Sequence, residues 1–400
     1  MRLSTVQIFQ SGINSILSQQ AQVNTTQTEL STGKRVLTPS DDPAAAAEIL
    51  RINSELARVD QYQDSADLAQ SQLELEEGAI DNAENVLQRV RELIIQANNA
   101  TQTTETRGFI ATEIQERLSE LVDIANSENF NGDFVFSGFQ SETVPFALQS
   151  GAVTYSGDDG QRFAQVGASS EIAVSDPGSD VFLRIPSGNG NFSFAANTAN
   201  QGTAQIGATS AGVDFISDNY TIEFSQTTPT DPITYTVTDS STAVIATGSY
   251  EEGDSISFAG STLSFSGIPD DGDGFSVTPS VSQDIFSSIA AVVSVLNNPS
   301  DTPEANALLG TELALSLENI DRAQTHFSEV RTDIGTRLNR LDSQREINTS
   351  FSIQLADTLS NIEDVDLTET ISRLNIQLSS LEAAQQAYVS VQGLSLFNFI

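Results

Sequence analysis

Residues 49–97 read ILRINSELARVDQYQDSADLAQSQLELEEGAIDNAENVLQRVRELIIQA, and the spacing of their apolar side chains decides the fold. From Ile52 onward, mostly apolar side chains recur at steps of three and four residues as far as Ala97. Such steps place side chains along one seam of an α-helix, as in a coiled coil. A helix over residues 44–100 would be about 85 Å long at the usual rise per residue. The stretch therefore predicts a rod rather than part of a compact globule.

A second seam of comparable length lies later in the chain and supplies a partner for the first. It runs from Leu313 to Ile362 with the same steps of three and four residues. Both seams follow helix-start signals, in which a capping side chain precedes a proline in the first helical turn. Ser40, Asp41 or Asp42 can cap the first helix, and Asp-Thr-Pro at 301–303 begins the second. We expect the two rods to pack antiparallel and to bury their seams.

The two ends of the chain carry shorter seams, at residues 6–30 and 367–388, with more Ser, Thr, Gln and Asn around them. These seams bury too little apolar area to hold an isolated coil firmly. We therefore expect them to be frayed in the monomer and to make contacts between subunits. The predicted assembly-interface residues are Phe9, Ile13, Ile16, Val23, Leu30, Ile371, Leu374, Leu378, Leu381, Tyr388, Leu394, Leu396 and Phe397.

Between about residues 144 and 278 the apolar period changes to two. Tyr220, Ile222 and Phe224 show it, and similar short runs follow, bounded by Gly, Asp, Pro and Ser. This alternation predicts antiparallel strands and hairpins. Shorter helices are expected on either side, one from Gly108 to about Asn131 and one over residues 281–296.

Together the patterns predict an α+β fold, an elongated antiparallel coiled-coil bundle made by the N- and C-terminal segments with an inserted β-rich domain. We divide the chain into three predicted domains. Residues 1–42 and 363–400 form a terminal coiled-coil assembly domain. Residues 43–140 and 281–362 form a long-helix bundle, and residues 141–280 form a β-rich outer domain.

The charge of the chain is large, negative and uneven. Fifty-four acidic residues against 17 basic ones give a formal net charge of -37 at pH 7. Nucleic acids and anionic membrane surfaces would repel such a protein, so we expect neither as a partner. Residues 185–321 contain no Lys or Arg, whereas residues 1–40 balance Glu29 against three basic side chains. Near-neutral ends can crowd against copies of themselves, and the acidic middle must face water.

Neither a membrane span nor a secretory signal is predicted. No apolar run approaches the ~20 residues that cross a bilayer. The first twenty residues interleave Ser, Gln and Asn with apolar side chains, unlike the unbroken apolar run of a secretory signal. The chain also has no Cys, which excludes disulfides and thiolate chemistry.

Residue types that carry chemistry are present, but their patterns favour plain structural roles. His326 is the one histidine, and we expect it to be solvated or beside a helix seam. Lys34 in STGKR lacks the earlier glycine of a phosphate loop. Asp270, Asp271 and Asp273 lack the later glutamate of a calcium loop, so we interpret them as a hairpin turn. We predict no catalytic, cofactor or metal site, and no enzyme activity.

Three segments resemble a known family. LSTGKRVLTPSDDPAAAAEI at 30–49 resembles the N-terminal signature of the flagellar hook-associated protein 3 family, within the flagellin superfamily. SRLNIQLSSLEAAQQAYVSVQGLSLFNFI at 372–400 resembles the C-terminus of that family, with its closing apolar and aromatic cluster. GDFVFSGFQSETVPF at 132–146 resembles the exit into the variable domain. The β insertion itself carries no such signature.

The resemblance implies a structural subunit of the bacterial flagellum that forms the hook–filament junction and templates filament assembly. Copies of the chain would form a ring, next to an adjacent hook-associated junction protein on one side and flagellin on the other. A cytoplasmic export chaperone would hold the C-terminal helix. The flagellar type III apparatus would export the chain unfolded, without a cleaved signal peptide, to the extracellular flagellum. Weak terminal seams agree with this, since they can fold when neighbours supply apolar area.

Two other interpretations remain open at this stage. A flagellin filament subunit would share the helical termini and the central insertion, although GKRVLTPSDDP at 33–43 favours the junction family. A secreted adhesin, or a surface hydrolase on helical stalks, belongs to a different class. A cleft with two acids about 5–9 Å apart would mark the hydrolase.

Overall fold

The computed structural model describes residues 5–149, 152–228, 230–298 and 302–397. Helices occupy both ends of this chain, and strands lie between the third and fourth helix. The α-helices are α1 (Thr5–Thr32), α2 (Pro43–Ala97), α3 (Thr104–Ala125), α4 (Ile285–Leu296), α5 (Pro303–Glu363) and α6 (Leu367–Phe397). A short π-helical turn at Ser179–Leu183 lies among the strands. The strands are β1 (Phe146–Gln149), β2 (Ala152–Tyr155), β3 (Phe163–Gly167), β4 (Ser170–Ala173), β5 (Ile185–Pro186), β6 (Phe192–Ala196), β7 (Gln205–Ala211), β8 (Tyr220–Ser225), β9 (Thr234–Thr238), β10 (Val244–Ser249), β11 (Ser255–Phe258), β12 (Ser261–Ser266), β13 (Gly274–Pro279) and β14 (Ser282–Gln283). This order confirms the predicted α+β class with helical ends and a β-rich insertion.

Cap residues set the starts of the helices. The carboxylate of Asp42 caps α2 by accepting the N–H groups of Ala44 and Ala45 at 3.1 and 3.0 Å, while Asp41 closes the preceding turn instead. Thr103 and Thr106 form a reciprocal capping box, so α3 starts at Thr104. The prediction that α3 would follow Gly108 and reach Asn131 was therefore wrong at both ends.

The fourth helix also begins later than predicted. Asp284 has an extended backbone, and its side chain accepts the N–H of Ser287 at 2.6 Å, which caps α4. Residues before this cap belong to β14, which pairs with β5. Asp284 is a good N-cap residue, so the sequence does contain a signal for this helix start. The apolar pattern alone placed the start too early, at Val281.

The chain divides into two compact units. One, called here the terminal unit, comprises Met1–Asp64 and Gln344–Ile400; the other, called the central unit, comprises Ser65–Ser343. In the terminal unit Ile52, Val59 and Leu355 form a small apolar core between α2 and α5. The central unit has two larger cores, one among the helices and one between sheets.

The predicted pairing of the two long helices is confirmed in the central unit. Arg91 on α2 pairs with Asp321 on α5, and Arg331 on α5 pairs with Asp81 on α2. Higher numbers on one helix thus meet lower numbers on the other, as in an antiparallel pair. The seam side chains buried between the elements of this core include Leu73, Ile80, Leu87, Ile94, Leu313, Ile320, Phe327, Ile334 and Leu341.

Two antiparallel sheets share the second core of the central unit. One has the strand order β10-β9-β8-β13-β6, and the other has the order β11-β12-β7. Strand β8 alternates buried and exposed side chains along its whole length, which confirms the period-two prediction for Tyr220, Ile222 and Phe224. Phe265 of the smaller sheet contacts Phe275 of the larger one, with ring centroids 5.1 Å apart. The inward faces of the two sheets therefore pack on each other.

The acidic turn at residues 270–273 does not close a hairpin, contrary to the prediction. It joins β12 to β13, and these strands belong to different sheets. The carboxylate of Asp273 is buried and accepts the backbone N–H groups of Gln201, Gly202 and Asp270 at 2.7–2.9 Å. Asp273 therefore ties this connection to the loop before β7.

Candidate functional site

Helices α1 and α6, called here the terminal pair, pack against each other in antiparallel fashion within the terminal unit. The rings of Phe9 and Tyr388 meet edge to face with centroids 6.1 Å apart, and Arg373 donates a hydrogen bond to Glu29. A Cβ atom at Gly12 would lie 3.0 Å from the Tyr388 ring, so the glycine permits this close approach. The structure thus brings the two predicted terminal seams together.

The terminal pair buries few of its side chains. Among the described residues of the two helices, only Val23, Thr26 and Thr370 are less than 9% exposed. Six of the predicted interface residues are half-buried: Phe9, Ile16, Leu30, Leu374, Leu381 and Tyr388. Ile13, Ile371 and Leu378 are exposed. The side chains of Leu394, Leu396 and Phe397 lie outside the described residues.

Helix α6 presents apolar side chains to solvent along one face. Leu367, Ile371 and Leu378, called here the α6 stripe, are 55%, 47% and 37% exposed. Steps of four and seven residues keep them on one side of the helix. Exposed apolar residues that the sequence analysis did not single out include Leu17, Ile376 and Val389. They fall between the seam positions, where the period alone predicts a solvated face.

The Gly33-Lys34-Arg35 segment binds the loop after α1 to the end of α5 and to the loop that follows it. Lys34 donates a 2.5 Å hydrogen bond to Glu363, and this bond raises the pKa of the lysine. The backbone N–H of Arg35 donates to the carbonyl of Glu363 at 2.6 Å, and the N–H of Val365 donates to the carbonyl of Gly33 at 2.9 Å. Gly33 has a φ of +73°, which favours glycine.

These contacts give Lys34 and Arg35 a structural role. Both side chains reach residues 362–363 of the opposite end of the chain, the second through a 2.7 Å bond from Arg35 to the carbonyl of Ile362. The sequence around Lys34 argues against a phosphate loop but does not indicate that Glu363 is its partner. Only the antiparallel pairing of helices places that partner beside it.

Residues that could carry chemistry elsewhere have ordinary structural contacts. The Nε2 atom of His326 lies 2.9 Å from the backbone carbonyl of Asp180. In the described part of the chain, His, Asp and Glu side chains form no group of three that could hold a metal ion. Likewise, none of the described helices has the length and apolarity needed for a bilayer crossing.

Comparison with known proteins shows which family has this architecture. Models of the bacterial flagellin N-terminal and C-terminal helical regions match residues 3–141 and 317–400. The crystal structure of the flagellar junction protein FlgL from Legionella pneumophila is 35% identical, covers 79% of this chain and 100% of its own, and superposes with a TM-score of 0.72. The chain belongs to the flagellar hook-associated protein 3 family.

Other members of the family agree with this assignment. Xanthomonas campestris FlgL is 30% identical over 77% of this chain and 99% of its own, with a TM-score of 0.71. Flagellar hook-associated protein 3 of Escherichia coli is 26% identical, and the match covers 99% of both chains. A flagellin from Salmonella dublin is 35% identical, but only over 31% of this chain and 25% of the flagellin. The protein is accordingly a structural component of the flagellar hook–filament junction, and flagellin shares only part of it.

Proposed function

We propose that the terminal pair is the surface through which this chain assembles with copies of itself and with neighbouring flagellar subunits. The α6 stripe carries the proposal, because an apolar face left exposed on a subunit of an assembly marks an interaction site. The near-neutral charge of the two chain ends adds support, since copies can pack there without large repulsion. The thirteen predicted interface residues stay a prediction in this role.

In the proposed assembly, copies form a ring that templates the filament. The ring adjoins another hook-associated junction protein on the hook side and flagellin on the filament side. The division into a terminal assembly domain (1–42 and 363–400), a long-helix bundle (43–140 and 281–362) and a β-rich outer domain (141–280) is part of this proposal. The role is structural rather than enzymatic, and it needs no bound cofactor.

We further propose that the chain reaches the extracellular flagellum through the flagellar export apparatus, without a cleaved signal peptide. A cytoplasmic chaperone would cover α6 before export. Exposed Leu367, Ile371 and Leu378 are side chains that such a chaperone could cover. A segment with little buried area also unfolds at small cost, which suits passage through a narrow channel.

Deletion of the gene tests the junction role. We expect cells with bare hooks, and unpolymerised flagellin in the culture medium, because filaments would lack their base. Electron microscopy of the cells and an assay of the medium for flagellin give the answer. Normal filaments on the deletion strain would contradict the junction role, and loss of the filament subunit itself would indicate a flagellin.

The double variant Ile371→Ser and Leu378→Ser tests the α6 stripe. Both side chains are exposed, so we expect a change in unfolding free energy within about 0.5 kcal/mol for each. Filament attachment and motility should nevertheless be lost, because the polar face no longer supplies apolar area to a neighbour. Motility on soft agar and electron microscopy measure the loss.

Val213→Ser is the matched control, because Val213 is a fully exposed apolar residue of the central unit. Val213→Ser should assemble normally, and cells that carry it should be fully motile. A double α6 variant that is exported, folded and still supports normal filaments would show that the stripe is not the assembly surface.

A further inference from the structure

Glu76 of α2 is fully buried in the central unit, where α2, α5 and residues 161–178 pack together. Its Oε1 atom accepts one hydrogen bond, from the backbone N–H of Asp176 at 2.9 Å. Its Oε2 atom is buried and has no hydrogen-bond partner, donor or acceptor, among the described residues. No part of the proposed assembly surface uses this group.

An ionised carboxylate is poorly matched to these surroundings. Two charged oxygens can accept about four hydrogen bonds, and burial without them is costly. A neutral carboxyl group costs less there, because its carbonyl oxygen accepts the one available N–H and its hydroxyl, although unpaired, carries no net charge. Burial raises the pKa of Glu76 well above its ordinary value, and the negative charge of Asp176 adds to the effect. The backbone N–H of Asp176, Arg337 and Arg162 oppose it less strongly.

Arg337, the cation that most favours an ionised Glu76, already binds another carboxylate. Arg337 of α5 donates two hydrogen bonds to the carboxylate of Asp176, at 2.8 and 2.9 Å. Gln161 adds a third, at 2.7 Å. Arg162 donates to the hydroxyl of Ser175, and Asp333 also draws on the charge of Arg337. A second negative charge at Glu76 would therefore lie beside Asp176 without a cation of its own.

We propose that Glu76 is a proton-dependent latch, which holds residues 161–178 against α2 and α5 while it carries a proton and releases them when it ionises. The latch joins three elements. Glu76 on α2 holds the backbone of Asp176, and Arg337 on α5 holds its side chain. Loss of the proton to solvent places a charge in a site with one donor, and opening the segment lets water reach that charge.

The direction of the pH effect follows from linkage. A carboxyl group whose folded pKa is raised stabilises the closed segment fully below its unfolded pKa, and that stability is lost as pH rises through the folded pKa. Opening releases one proton across this window. The equilibrium constant for opening of residues 161–178 should therefore rise by up to about tenfold per pH unit.

Hydrogen–deuterium exchange of the full chain tests the latch. Protection factors for residues 161–178, corrected for the intrinsic pH dependence of exchange, are measured from about pH 5 to about pH 10, a range that brackets buried glutamates. We expect protection to fall with rising pH in the natural protein and to stay flat in Glu76→Gln. Glu77→Gln is the matched control, because the neighbouring Glu77 side chain is 40% exposed, and it should behave like the natural protein.

Infrared spectroscopy supplies a second measurement of the same group. In the natural protein, one protonated-carboxyl band should disappear over the same pH range as the protection of residues 161–178, above the range in which exposed carboxyl groups ionise, and Glu76→Gln should lack this band. If glutamine prevents folding, Glu76→Met keeps the site neutral and apolar and replaces it in both measurements. Equal slopes of protection with pH in the natural protein and the Glu76 variant would overturn the latch. Absence of a carboxyl band that titrates together with the protection would overturn it as well.

Discussion

Phe182→Ala is expected to lower the free energy of unfolding of the central unit by about 3–5 kcal/mol. The Phe182 side chain is fully buried, in the helical turn at Ser179–Leu183. Its ring contacts four other phenylalanine rings, with centroids 5.1–5.8 Å away: Phe136, Phe146, Phe286 and Phe327. Alanine would leave a cavity that these rigid rings cannot fill.

Urea unfolding followed by circular dichroism measures this loss as a lower midpoint at an unchanged slope. Phe130→Ala is the control, since Phe130 is 78% exposed and its truncation should cost no more than about 0.5 kcal/mol. A midpoint for Phe182→Ala equal to that of the control would mean that the ring cluster does not stabilise the unit.

The long helices were predictable because a local period determines them. Steps of three and four residues from Ile52 to Ala97 and from Leu313 to Ile362 predict both the helices and their pairing, and the structure has both. Strand β8 was predictable for the same reason, since alternation of apolar and polar residues puts Tyr220, Ile222 and Phe224 on one face. Signals of this kind need only near neighbours in sequence.

Features that depend on distant residues could not be predicted in this way. Steps of three and four residues from Ile52 place Glu77 in the buried seam of α2. Glu76 is the buried residue instead, because residues 161–178 cover that side of α2. The turn at 270–273 looked like a hairpin because its residues suit one, but the next strand joins another sheet. The structural role of Lys34 likewise depends on Glu363, which is 329 residues away in the sequence.

The pairing of the two chain ends was predictable, but its details were not. The predicted bundle of N- and C-terminal segments implies that the two ends meet, and α1 packs on α6. The contacts between subunits expected of these seams stay a prediction. Which seam residues stay exposed depends on how the two helices rotate against each other. Leu374 turns partly inward, whereas Ile371 and Leu378 face solvent. The heptad alone treats these three positions as equivalent.

Arg337→Gln is expected to destabilise the central unit by about 3–5 kcal/mol at neutral pH. Arg337 and Asp176 form a two-bond ion pair whose side chains are only 21% and 12% exposed. Removal of the guanidinium leaves the Asp176 carboxylate beside Glu76 without its cation. Removal of one partner from a buried pair costs more than removal of both, because the remaining charge stays buried.

A double-mutant cycle separates this effect from lost packing. Adding Asp176→Asn to Arg337→Gln removes the uncompensated charge, so the double variant should be more stable than the sum of the single losses predicts, by about 1–3 kcal/mol. Urea midpoints of the four proteins give the coupling. A coupling near zero would mean that water screens the pair as it screens a surface ion pair. In that case Arg337 would hold residues 161–178 through the packing of its stem rather than through its charge.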